Sequence, residues 1–268
     1  MLNTKKTTCT LFSKNCTPQS YNPFLSTYRM CSSSQPLRMQ VRSVNTVEIE
    51  SIAKLPMCIP QEFKYQNSLA GIDIDNTILE PVQYLGSDHW FDDFYAQTFN
   101  KIAALNNLKI ARRLKALTAA RVRELTLKET LSQYHKIQRI THVKPVQHEE
   151  TIKIFMQLQQ CMPSILVTAR GKELNNTTKR QLKTINFNID QPGNAEIIYC
   201  AGGDKGILFK QFWQGLKDKP KNILFVDDKL KNLKSIENAF QSENVNVLNI
   251  YYSHVNKRMA LKEGVRHA

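Results

Sequence analysis

The stretch Leu69-Ala70-Gly71-Ile72-Asp73-Ile74-Asp75-Asn76-Thr77 decides how this chain is read. An apolar run leads straight into two carboxylates spaced two residues apart, with a threonine just beyond. On a regular strand, residues two apart share a face. At a strand end that opens into a loop, both acids can turn toward one point. Paired carboxylates there hold a divalent cation, or divide nucleophile from general acid. A strand that simply ends in turn-forming Asp and Asn is the competing reading, so the other strand ends have to decide.

Outward from this stretch, residues 63–74 carry the first expected strand. Residues 92–134 take a helical pattern, with Ile102, Leu105, Leu108, Ala111 and Leu114 recurring every third position until Pro145 interrupts. An alternation then follows: helix 149–160, strand 164–168, helix 172–184, strand 195–200, helix 205–216, strand 222–226, helix 230–240 and a final strand 245–252. Strands alternating with helices imply an α/β fold with a parallel sheet covered on both faces. Ligands of such sheets sit beyond the carboxyl ends of the strands.

Those ends carry Asp73 and Asp75, then Thr168, then Gly202-Gly203-Asp204-Lys205, then Asp227 and Asp228. Taken singly, Thr168 reads as a strand threonine, Lys205 as surface charge at a helix start, and Asp227-Asp228 as a helix cap. Together, at successive apolar strand ends, they read as one site. Adjacent carboxylates repel unless a cation neutralises them, and hard oxygen ligands suit Mg2+. A phosphoryl group needs the same parts. Metal and lysine offset its charge, a hydroxyl fixes its oxygens, one carboxylate attacks phosphorus and a second moves the proton.

This arrangement resembles the haloacid dehalogenase (HAD) superfamily. The motifs run in its order: Ile-Asp73-Ile-Asp75-Asn-Thr77, Ile-Leu-Val-Thr168-Ala-Arg, Lys205 opening a helix, and Leu-Phe-Val-Asp227-Asp228. The resemblance spans roughly residues 68–252. It implies a Rossmann-like core, with a mostly helical cap inserted after the first strand, and a Mg2+-dependent phosphatase acting through an aspartyl-phosphate. By the same resemblance Asp73 is nucleophile and metal ligand, and Asp75 is general acid/base with its backbone carbonyl on the metal. Thr168 binds phosphate and Lys205 offsets charge. Asp227 and Asp228 complete the metal site, with Asp228 the direct ligand. Many members have glycine where this chain has Asn76, and a further acid where it has Asn232. Gly86-Ser-Asp-His-Trp90-Phe, Gly203-Asp-Lys-Gly206 and Asp227-Asp-Lys-Leu-Lys-Asn-Leu233 are similar to an uncharacterised HAD-like group found in intracellular bacteria.

The expected division is a flexible, polar arm over residues 1–50, a core over 51–85 and 146–268, and a cap over 86–145. Trp90, Phe91 and Phe94 fall where the cap hinge or simple packing needs aromatics. The chain of 268 residues has a formal net charge of +14. Between Lys101 and Lys144 stand eleven basic residues, among them Arg112, Arg113, Arg121 and Arg123, against Glu124 and Glu129, a net of +9 inside the expected cap. A charge run is commonly a solvated helix face. Placed on a cap, it points to a phosphorylated, polyanionic substrate, with nucleic acid or an acidic membrane as other anionic partners.

No stretch approaches the roughly 18 apolar residues of a transmembrane span, and the first residues lack the apolar region of a secretory signal. Six cysteines without a CxxC pair argue against a zinc site. Cys161 and Cys200, beside apolar strands, read as buried thiols of a reducing, cytoplasmic compartment. The second reading is a binding module that grips an anionic partner through the basic cap with little turnover, including an effector secreted into a host cell. A dehalogenase does not need this set of metal-site acids.

Overall fold

The structure, a computed structural model, describes residues 44–64, 67–112, 115–187, 189 and 196–266. Its first half runs β1 (Val44–Ile49), α1 (Leu55–Cys58), β2 (Ser68–Ile72), β3 (Leu79–Pro81), α2 (Asp88–Ala111), α3 (Ala119–Gln138), β4 (Val143–Pro145) and α4 (His148–Cys161). The second half runs β5 (Ser164–Thr168), α5 (Asn175–Thr184), β6 (Ile197–Tyr199), α6 (Lys205–Gly215), β7 (Asn222–Asp227), α7 (Leu230–Phe240), β8 (Asn246–Tyr252) and α8 (His254–Arg266).

Six strands form one sheet in the order β1-β8-β7-β2-β5-β6, every neighbouring pair parallel. The central strands β2, β5 and β7 are buried along their whole length, as a sheet covered on both faces requires. Side chains alternate between two cores. Leu224 and Val226 join Ile72, Ile250, Phe155 and Val255 beneath α4 and α8. Ile223 and Phe225 join Phe209, Trp213, Leu233 and Ile236 beneath α6 and α7. The fold is the expected α/β architecture with helices on both sheet faces.

The second core is close-packed enough to dictate two glycines. A Cβ on Gly71 would lie 2.4 Å from the Phe225 ring on the neighbouring strand. On Gly206 it would lie 2.2 Å from the carbonyl oxygen of Ser235, where α6 crosses α7. A ring can turn aside, but backbone cannot. Gly206→Ala is therefore expected to cost about 1–3 kcal/mol, read as a lowered midpoint in urea with an unchanged slope.

Between β3 and β4 the chain is helical, as expected after the first site-bearing strand. β3 and β4 pair as an antiparallel ribbon, Leu79 opposite Pro145 and Pro81 opposite Val143, from which α2 and α3 extend. Buried Glu80 ties this ribbon to α8 through the Arg258 guanidinium. At the far end the Asn106 amide accepts from the Leu117 N–H at 2.7 Å and donates to the Leu117 carbonyl at 3.1 Å, closing the hairpin. Thr118 caps α3 by accepting from the Arg121 N–H at 3.2 Å. Phe91 meets Tyr134 edge-on at 5.4 Å, joining α2 to α3, while Trp90 stacks on Phe94 of its own helix at 5.1 Å.

Three expectations change. The strand β1 lies inside the segment assigned to the 1–50 arm; it pairs with β8 from Val44 opposite Val247 to Ile49 opposite Tyr252. Its own sequence is too short and mixed to declare a strand, and the edge of β8 supplies its hydrogen bonds. Residues 1–43 lie outside the described residues. The helix α8 follows the expected last strand. Finally, Leu105 and Leu108 are exposed on α2. Steps of three residues drift by about 60° each on a helix of 3.6 residues per turn, so that series cannot stay on one buried face. Of the cysteines, Cys200 is buried and Cys161 half-buried; Cys9, Cys16 and Cys31 lie outside the described residues. No helix among the described residues is long and apolar enough to cross a membrane.

Candidate active site

The strand order puts β2 between β7 and β5, so the three carboxyl ends lie side by side where the chain's winding reverses. The pairing of Ile72 with Val226 brings the next residues, Asp73 and Asp227, level with each other. The Asp73 N–H donates to the Val226 carbonyl at 2.9 Å. Thr168, at the end of β5, flanks them on the other side.

Asp73, Asp227 and Asp228 are all buried, and each offers a carboxylate oxygen within 4.8 Å of the others. Lys205 lies between two of them: its Nζ donates to Asp73 Oδ1 at 2.5 Å and to Asp227 Oδ2 at 2.7 Å. It is the first residue of α6, behind the N-cap Asp204, whose side chain accepts from the Ile207 N–H. A cation at a helix N-terminus opposes the helix dipole; here two carboxylates outweigh that. Burial works against the charge on Lys205, yet Asp73 and Asp227 hold its pKa above the ordinary lysine value. The turn before α6 is braced on the end of β5, Cys200 N–H to Thr168 carbonyl at 2.9 Å and Gly202 N–H to Ala169 carbonyl at 2.8 Å.

One lysine does not balance three acids. Burial, with Asp227 and Asp75 nearby, outweighs Lys205 and pushes the Asp73 carboxyl up to about 7. Burial, with Asp73 and Asp227 nearby, raises Asp228 well above its ordinary value, and its Oδ2 is buried with no hydrogen-bond partner. A carboxylate with one orphaned oxygen, clustered with two further carboxylates, is the environment a hard divalent cation fits. Asp228→Asn is expected to stabilise the metal-free protein by about 1–3 kcal/mol and to abolish any rise in melting temperature on adding Mg2+. Thermal melts with EDTA and with Mg2+ check both halves.

Asp227 is the most heavily supported of the three. Beyond Lys205, it accepts from the Lys229 N–H at 2.8 Å and from the Asn232 amide at 2.9 and 3.0 Å. Asn232, where an acid is common, thus anchors Asp227 and adds no charge to the site. Asn76 is explained by backbone: its φ is +61°, in the left-handed region that glycine adopts freely and asparagine tolerates best among side chains. Its N–H donates to the Leu79 carbonyl at 2.7 Å, and its amide to Asp88 Oδ2 at 3.3 Å.

Asp75 stands apart from the acidic triad. Its carboxylate, half-buried, faces Thr168 and Arg170 rather than Asp73, so as a side chain it does not join the expected metal set. Arg170 grips it with both ends of the fork, Nε to Oδ2 at 2.9 Å and Nη2 to Oδ1 at 2.7 Å. Thr168 Oγ1 donates to Asp75 Oδ2 at 3.4 Å and accepts from the Arg170 N–H at 3.1 Å.

Three further residues near the site have no signal in local sequence. Arg170 was visible two positions beyond Thr168, though nothing local says where a strand-end arginine points. Lys229 forms an ion pair with Asp88 at the start of α2, joining the loop after β7 to the insertion. Tyr134 of α3 lies near Asp75, and burial raises its hydroxyl pKa. The Lys229–Asp88 pair and the nearness of Tyr134 to Asp75 depend on where the insertion sits, which no residue spacing announces.

A family model described as "Protein of unknown function (DUF2608)" matches residues 48–200 and 194–266. No curated protein matches. Among solved structures the chain is similar to a haloacid dehalogenase-like hydrolase from Burkholderia xenovorans LB400, with 16% identity, a TM-score of 0.37, and 70% of this chain and 82% of that one covered. A HAD family enzyme from Bacteroides thetaiotaomicron matches at 10% identity and a TM-score of 0.37, covering 68% and 93%. A structure described as a beta-phosphoglucomutase from Thermotoga maritima matches at 10% identity and 0.35, covering 73% and 99%.

Proposed function

We propose that this chain, which belongs to the DUF2608 family, is a phosphomonoester phosphatase of the haloacid dehalogenase type that uses Mg2+. The observation that carries this reading is the buried triad of Asp73, Asp227 and Asp228 at adjacent strand ends, with Lys205 on Asp73 and one carboxylate oxygen of Asp228 left without a partner. Asp73, Asp227 and Asp228 would hold the ion, which offsets phosphoryl charge when bound.

This chain's own residues supply the rest. Asp73 attacks phosphorus through a carboxylate oxygen that Lys205 holds in place. The bond from phosphorus to the leaving oxygen breaks, and that oxygen takes a proton from Asp75. Asp75 then accepts a proton from water, whose oxygen displaces Asp73 from the aspartyl-phosphate and releases inorganic phosphate. Thr168, which accepts the Arg170 N–H and meets Asp75 only at 3.4 Å, would turn its hydroxyl hydrogen from Asp75 to a phosphate oxygen.

The helical segment between β3 and β4 serves in this reading as the cap that selects substrate. Its basic residues Arg112, Arg121 and Arg123 are exposed, which favours a substrate carrying more than one anionic group. The triple change of these arginines to glutamine is expected to lower kcat/KM for such a substrate by about tenfold at low salt, with the difference closing at high salt. Equal rates at low salt would remove the cap from substrate selection. The reading as a whole is tested on a panel of phosphomonoesters with Mg2+ and with EDTA. Metal-dependent release of phosphate is expected, and no turnover across the panel would leave the binding-module reading in its place.

A further inference from the structure

Arg170 is buried, and all five of its guanidinium N–H groups have acceptors. Nε and Nη2 hold the two oxygens of Asp75. Nη1 donates to Thr178 Oγ1 at 3.1 Å and to Gln181 Oε1 at 2.6 Å. The second Nη2 hydrogen lies toward Gln138 Oε1 at 3.5 Å. A guanidinium has five such hydrogens, so none remains to grip a phosphate. The charge near the reaction centre that looks most like an anion clamp is already committed.

The network also reaches the base of the insertion. Gln138, on the last turn of α3, donates through Nε2 to the Gly86 carbonyl at 2.6 Å. Gln181, on α5, donates to the carbonyls of Gln138 and Thr141, each at 3.2 Å. Gly86 precedes α2 and Thr141 follows α3, so both chain crossings between core and insertion join the hydrogen bonds that fix Asp75. Gln138, Thr178 and Gln181 are buried.

We infer that Arg170 is a positioning residue for Asp75 in proton transfer, and that Gln138 extends this positioning to the neck of the insertion. The inference rests on the phosphatase reading above. A bidentate fork fixes the plane of the carboxylate as well as its place. Asp73 forms its bond to phosphorus without Arg170. Asp75, by contrast, must present one oxygen to the leaving oxygen as the phosphorus–oxygen bond breaks, and later to the attacking water. Misorientation of Asp75 therefore slows the first step in proportion to the leaving oxygen's need for a proton. A nitrophenolate leaves without one; an alkoxide does not.

The test compares p-nitrophenyl phosphate with an alkyl phosphate, using the full chain with Mg2+ in the wild type, Arg170→Lys, Arg170→Met and Gln138→Met. For Arg170→Met the alkyl ester is expected to lose about 10²–10³-fold in kcat/KM, which reports the first step alone, the scale of a general acid's contribution, and the aryl ester less than about tenfold. Arg170→Lys keeps the charge but not the fork, and is expected to show the same selective loss in weaker form. Gln138→Met should shift the ratio in the same direction by a few-fold. Equal losses on both esters, or full rescue by lysine, would overturn the inference and leave the phosphatase reading standing. If Arg170→Met does not fold, the lysine and Gln138 variants decide, and an unchanged ester ratio in both overturns it. A wild type inactive on both esters would bring down the phosphatase reading and this inference with it.

Discussion

Asp73→Asn is expected to leave a folded protein that has lost phosphatase turnover by at least ~10³-fold, the scale on which removal of a nucleophile acts. The amide has nearly the carboxylate's shape, but its nitrogen cannot attack phosphorus and its oxygen is a poor nucleophile. Folding has no reason to suffer. Asp73 is one of three buried acids sharing one lysine, and burial already pushes its carboxyl up to about 7. Removing that charge leaves Lys205 paired with Asp227. The melting temperature of the metal-free variant should equal or exceed that of the wild type. Rate and melting temperature together make the result decisive. Turnover that survives would remove Asp73 from the chemistry, and a collapse of stability would make its role architectural.

The second large effect has the opposite sign. Lys205→Met is expected to cost about 3–5 kcal/mol, because removing one partner of a buried ion pair leaves the others uncompensated. For a domain of this size that is roughly a 10 °C fall in melting temperature. The loss should depend on pH. An aspartate whose folded pKa is about 7, against 3.8 as the ordinary value, keeps in the folded state a proton that the unfolded chain has given up. Its contribution to stability is complete below about pH 4 and is lost as pH rises through about 7. Without Lys205 the carboxyl rises further still. Melts of the metal-free variant should therefore approach the wild type at about pH 5 and separate from it at about pH 8. A fall of less than about 2 °C at the higher pH would mean that Lys205 does not hold the triad together.

Both predictions draw on residues legible in the sequence. The short apolar runs over residues 69–72, 165–167 and 223–226, each ending in polar groups, located β2, β5 and β7 because buried parallel strands need an unbroken apolar series. The rule that ligands gather at their carboxyl ends then singled out Asp73, Thr168, Lys205, Asp227 and Asp228, which the fold brings to one place. Asn76 and Asn232 were visible as departures, but their explanations were not. One needed a dihedral angle, and the other the direction of an amide. The edge strand β1 was hidden because six residues of mixed polarity become a strand only when β8 offers an open edge.

The sequence alone therefore determined the α/β class, the alternation of strands and helices from β5 to β8, and the set of acids, hydroxyl and lysine at the strand ends. These follow from short-range patterns of apolarity and charge that survive in one dimension. Only the tertiary structure decided how the carboxylates divide. Asp73 turns to Lys205 and the triad, while Asp75, two residues on, turns to Arg170, which in turn reaches Gln138 at the neck of the insertion. The reason is physical. A carboxylate goes where a buried cation compensates it, and the two cations here come from residues 95 and 132 positions away from their acids.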